Sequence, residues 1–60
     1  MKVFRAKSYD GTCFIIAAKN TLEAHTIAVA ANRGYIDYDD VFEEDFLQTN
    51  LKESGIIIEM

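Results

Sequence analysis

The apolar positions of this chain fall into runs set off by its three glycines and by polar clusters. Asp10-Gly11 separates the first two runs, and an Asp-Gly pair favours a tight type I′ hairpin because both central residues tolerate positive φ. Strands are therefore predicted at about 2–8 and 12–18. With a two-residue loop, Tyr9 faces Thr12. Phe4 then pairs with Ala17, Ala6 with Ile15 and Ser8 with Cys13 on one small, apolar face. Val3 with Ala18, Arg5 with Ile16 and Lys7 with Phe14 make up the other face.

From Asn20 the pattern changes to one rich in alanine, the best helix former. Asn20 is a suitable N-cap, and Glu23 three residues later completes a capping box. A helix is predicted over about 21–33, with Gly34 as the left-handed residue that ends it. Ala24, Ile27, Ala28 and Ala31 follow the i, i+3, i+4, i+7 spacing of a buried stripe, and their small size allows close approach to a sheet. Leu22 and Val29 lie nearly opposite, beside Thr26 and Arg33. This second stripe is expected to lie under the C-terminal segment or to meet another chain.

Residues 36–54 support two readings. Asp40 with Glu43 could cap a helix over about 41–53, in which Phe42/Phe46 and Leu47/Leu51 are i, i+4 pairs. Alternatively a short strand spans 38–43 and a helical turn 49–53, because aromatic and β-branched residues cluster early and Asn50 weakens a long helix. The second reading is preferred. Ile56-Ile57-Ile58-Glu59-Met60 is strongly β-prone and is placed as a strand at about 56–60 in the same sheet as the hairpin. The expected fold is one small α+β domain over 1–60: an N-terminal hairpin, a helix across it, an irregular acidic segment and a closing strand.

Half of the 60 residues are hydrophobic, so a core is available. A chain this short still buries only about 60% of the surface its unfolded form exposes. Cys13 is the sole cysteine, which excludes an internal disulfide. One Cys and one His make a four-ligand metal site hard to build, so neither a metal nor another cofactor is expected. Charges interrupt every apolar pair of residues 1–8, so no secretion signal is expected. No apolar run approaches the roughly 18 residues of a membrane span, and no membrane partner is expected. A lone cysteine fits a reducing compartment, and the cytoplasm is the expected location.

The net charge of −4 conceals an asymmetry. Residues 1–35 carry five basic groups against two acidic ones, a balance of +3. Residues 36–60 carry eight acidic groups against Lys52, a balance of −7. Such a contrast bears on partners rather than on fold. The acidic run Asp37, Asp39, Asp40, Glu43, Glu44 and Asp45 is interleaved with Tyr35, Tyr38, Phe42 and Phe46. It lacks the glycine and the alternating ligands of a calcium loop. It is either a solvated edge or a surface that steers a basic partner while its aromatics supply contact area.

The hairpin face bearing Arg5, Lys7, Tyr9 and Phe14 gives an alternative, single-stranded nucleic-acid binding by base stacking and phosphate contact. Two basic groups on an acidic chain argue against it. Cys13 and His25 are the only nucleophile–base pair available, expected on a strand's core face and a helix flank respectively. No enzyme is expected. In size, acidity, lack of proline and ββα start, the chain resembles in general layout small accessory proteins of phages and mobile elements, which implies a regulator or inhibitor acting by binding. The expected function is a non-enzymatic protein-binding module, with a homodimer or other homo-oligomer through Leu22 and Val29 or through the Ile56–Ile58 edge as the structural alternative.

Overall fold

The computed structural model describes the backbone of residues 1–48 and 52–60, and the side chains of 1–44 and 52–60. Strands β1 (Lys2–Lys7) and β2 (Cys13–Ala18) form the hairpin. Helix α1 (Thr21–Asn32) follows, then a single 3-10 turn at Tyr38–Asp40. Strands β3 (Val41–Gln48) and β4 (Gly55–Glu59) complete the chain. The sheet is antiparallel throughout, in the order β3-β1-β2-β4. The hairpin thus lies at the centre, and the two later strands flank it.

The hairpin register differs by one residue from the expectation. Phe4 pairs with Ile16, Ala6 with Phe14 and Lys7 with Cys13. The loop has three residues, not two. Ser8 N–H donates to the Thr12 carbonyl at 2.8 Å, and Gly11 N–H to the Ser8 carbonyl at 3.1 Å. Asp10 organises this loop: its carboxylate accepts the Ser8 hydroxyl at 2.8 Å and the Thr12 amide at 2.9 Å. Gly11 takes φ +91, a backbone conformation that residues with a Cβ rarely adopt. A one-residue slip moves every β2 side chain to the other face. The reason is burial: only this register puts Phe4 and Phe14 on the same side, where both are sealed from solvent.

That side is the core. Phe4, Ala6, Phe14, Ile16 and Ala18 of the hairpin meet Ala24 and Ala28 of α1, and Ile36 and Val41 close the cluster. The helix begins as expected, with the Glu23 amide donating to the Asn20 side chain at 2.9 Å. The Glu23 carboxylate, however, accepts the amide of Lys19, at 2.9 Å, rather than that of Asn20. The helix end differs too. Arg33, not Gly34, is left-handed (φ 57), and its amide donates to the Val29 carbonyl at 2.9 Å. A side chain in that region costs about 1–2 kcal/mol.

The expected stripe on α1 is also shifted. Ala31 is exposed, and Ile36 fills the core beyond the helix. Val29 is half-buried and packs on the core alongside Ile27, which leaves Leu22 exposed by itself.

A helix over 41–53 does not form. Val41–Gln48 is a strand because β1 has a free side: Val41 pairs with Ala6, Phe42 with Arg5 and Glu43 with Phe4. It begins at Val41 rather than at 38, since Tyr38–Asp40 is the 3-10 turn, and it runs beyond 43. The helical turn expected over 49–53 falls partly on residues 49–51, outside the described residues. β4 joins the hairpin's sheet as expected, beside β2, and starts one residue earlier than predicted. Ile58 faces Ile15 and Ile56 faces Ile16, so Ile57 is an extra residue without a partner on β2. Cys13 and Met60 prolong this ladder by exchanging both backbone hydrogen bonds, at 3.0 and 2.7 Å.

Candidate interaction surfaces

The fold divides the acidic run of the sequence into two parts. Its later half lies on β3 beside the basic strand β1. Glu43 comes within 3.8 Å of the Lys2 ammonium, and the Glu44 carboxylate within 3.2 Å of Arg5 Nε. Phe42 shares that environment, with the Arg5 guanidinium carbon 6.0 Å from its ring centre. The charge contrast between the two halves of the sequence is therefore partly internal: strand pairing brings the basic start against the acidic end. Exposed pairs of this kind contribute at most about 1 kcal/mol each. The side chain of Asp45 lies outside the described residues.

The earlier half sits on the turn between α1 and β3. Asp37 caps the 3-10 turn, its carboxylate accepting the Asp39 amide at 3.0 Å. Tyr38 packs edge-on against His25, with ring centres 5.4 Å apart. His25 in turn anchors the connection, its Nε2 donating to the Ile36 carbonyl at 2.6 Å. It is a half-buried brace and not the surface histidine expected.

This turn abuts the hairpin loop. Tyr9 and Tyr35 stack with ring centres 6.3 Å apart and planes 21° from parallel, although 78% and 65% of their surfaces are exposed. The negative charge of Asp37, followed by partial burial and the proximity of Tyr9, Asp39 and Asp40, raises the Tyr35 phenol above its ordinary pKa of 10.0. All three tyrosines of the chain therefore gather at one end with Asp37, Asp39 and Asp40, and Asp10 adjoins Tyr9 in the loop. Sequence reasoning assigned Tyr9 to a different surface, counted Tyr35 only among the aromatics around the acidic run, and left Asp10 out of the candidate site. The available signal was that Tyr9 and Tyr35 each lie within two residues of a turn glycine.

The four residues of the alternative nucleic-acid face are separated. Arg5 and Lys7 are on the sheet face away from the helix and Tyr9 is at the loop tip. Phe14 is on the opposite face, 1% exposed in the core. The register slip accounts for this, and it also carries Cys13 to the helix-free face, correcting its expected core position. Cys13 is half-buried there, and His25 belongs to the layer on the other side of the sheet. The helix-free face holds an open cleft of about 350 Å³ lined by Arg5, Lys7, Cys13, Asp40 and Phe42. Among the described residues, no group of three His, Cys, Asp or Glu side chains is placed to hold a metal ion. No helix among them is long and apolar enough to cross a membrane.

Two carboxylates are built into the frame. Glu23 is held below its ordinary pKa of 4.5 chiefly by the Ser54 hydroxyl, then by the Lys19 amide. Asp10 is held below 3.8 first by the Thr12 amide and then by the Ser8 hydroxyl. A carboxylate depressed in the folded state favours folding above its unfolded pKa, and this contribution is lost as pH falls through the folded value. The urea midpoint is therefore expected to drop on acidification from about pH 5 downwards. Glu23→Gln and Asp10→Asn should each make that drop shallower, and an unchanged pH profile in both variants would contradict these assignments.

The class defined by these features is a two-layer α+β domain: one helix on a four-stranded antiparallel sheet. No protein-family model, curated protein or solved structure matches the chain.

Proposed function

We propose that this chain is a non-enzymatic binding module that presents its tyrosine–aspartate end to a basic surface on another protein. The observation that carries this reading is the largely exposed, stacked Tyr9–Tyr35 pair, with Asp37, Asp39 and Asp40 close enough to raise the Tyr35 phenol. Carboxylates steer a cationic partner. Tyrosines add rigid, amphipathic contact area with little side-chain entropy to lose, and their ring faces attract guanidinium and ammonium groups. Glu43 and Glu44, later in the run, are engaged by Lys2 and Arg5 and serve as a rim. A role as a small regulator or inhibitor of phage or mobile-element type is consistent with such a surface.

The test compares wild type with Asp39→Asn/Asp40→Asn and with Tyr9→Ala/Tyr35→Ala in affinity capture from source-cell lysate, at low and moderate salt. These positions are preferred to Asp37 and Asp10, whose carboxylates hold the turns. A basic protein retained by wild type, and lost from both variants with the fold intact by circular dichroism, is the expected result. Equal capture by all three proteins would place the binding surface elsewhere.

A further inference from the structure

Apolar side chains lie on both faces of the sheet; the helix covers one, and on the other Val3 and Ala17 are buried while the rows nearer the hairpin loop stay open. An antiparallel sheet with a solvated face normally alternates apolar and polar residues, whereas β2 reads Cys-Phe-Ile-Ile-Ala-Ala and β4 Gly-Ile-Ile-Ile-Glu. On the helix-free side, one row crosses all four strands: Phe42, Arg5, Ile15 and Ile58. A neighbouring row runs Lys7, Cys13, Met60. Phe42 and Ile58 are each 49% exposed and Met60 66%. These exposed apolar side chains lie in two adjacent rows around Arg5 and Lys7.

We propose that this face is covered by the same face of a second copy of the chain, giving a dimer with the two sheets stacked inside and the helices outside. Charge selects the occupant. Among the described side chains, the face and its margin hold Arg5 and Lys7 against Asp40 and Glu44, two cations and two anions, which balance. The other described side chains carry four cations against seven acids, so their negative excess lies outside this face. Two acidic chains can meet here without like-charge repulsion. The cleft between Phe42 and Cys13 gives an apolar side chain from the facing sheet a place to seat.

Edge-to-edge pairing through β4 is the competing route to a dimer, and the structure disfavours it. The unpartnered Ile57 interrupts the regular alternation of β4, and a bulge in an edge strand is a recognised obstacle to strand addition. Ile58 points to the helix-free side and Ile56 to the helix side, so pairing centred on Ile57 would set residues of opposite faces against each other. Face stacking has no such conflict.

The decisive experiment is sedimentation equilibrium of the pure protein over a wide concentration range, with Cys13 as an internal reporter. The expected result is twice the 6.8 kDa chain mass, with the Cys13 thiol reacting several-fold more slowly with dithiobis(nitrobenzoate) as the dimer fills. Phe42→Glu/Ile58→Glu should sediment as a monomer with native circular dichroism and a fast-reacting thiol. If the double variant does not fold, Met60→Glu, at the most exposed of these positions, decides the same point. A wild-type monomer at every concentration overturns the proposal, as does a dimer that survives these substitutions or a thiol equally reactive in both states. The tyrosine–aspartate end is untouched by these variants, so the binding function stands or falls separately.

Discussion

Truncation of Phe14 to alanine is expected to unfold most of the protein under conditions where wild type is folded. Phe14 is 1% exposed and sits on a central strand among Phe4, Ile16 and the alanines of α1. Removing a buried phenylalanine costs about 3–5 kcal/mol, the lost transfer energy plus the cavity left behind. A domain of this size has a total stability of roughly 3–9 kcal/mol, from typical per-residue values. The loss is thus a large part of the whole, and no loop on so small a scaffold can collapse to fill the void. Urea unfolding followed by circular dichroism measures it. The same substitution separates the two hairpin registers: on a solvated binding face, Phe14→Ala would cost little stability and would act on ligand affinity instead. A variant with wild-type stability would refute the register described here.

Ile36→Ala is expected to cost about 2–4 kcal/mol, within the range for buried aliphatic truncations, and to loosen the tyrosine–aspartate end. Ile36 is fully buried, and its carbonyl accepts the His25 hydrogen bond. It is thus the peg that fixes the chain between Tyr35 and Asp37, the two residues that begin the candidate surface. The near-ultraviolet circular dichroism of the stacked tyrosines should weaken in this variant beyond what its folded fraction explains. Ile36→Val, which keeps most of the side chain, should cost about 0.5–1.5 kcal/mol and preserve that signal. If Ile36→Ala is destabilised with tyrosine stacking unaltered, the peg positions the core but not the site.

The hairpin, the helix and the closing strand were legible because each is marked locally. Asp10-Gly11 signals a turn, Asn20 and Glu23 signal a helix start, and the isoleucine run signals a strand. The hairpin register was not, since it depended on a contest between two loop geometries. Asp-Gly alone favours two residues, but Asp10 can bridge Ser8 and Thr12 across three, and the wider loop aligns two phenylalanines with the helix. Residues 41–48 were ambiguous because the same spacing of Phe42, Phe46 and Leu47 suits either helix or strand. The vacant side of β1 decided it.

The candidate site was half legible for a related reason. The acidic run could be read directly, with Tyr38 and Phe42 inside it. That Glu43 and Glu44 are engaged by Lys2 and Arg5 follows only from β3 lying against β1. That Tyr9 joins Tyr35 follows only from the hairpin loop meeting the turn after α1, 26 positions further along the chain. By itself the sequence determined the element types of the hairpin, the helix and the closing strand, the helix start and the opposed charges of the two halves, because propensity, capping and composition act over a few neighbouring residues. The tertiary structure alone decided which side chains share a face, which charges meet and which aromatics gather. These are properties of contacts between distant segments, and burial of Phe4 and Phe14 on one side of the sheet outweighed the local preference of the turn.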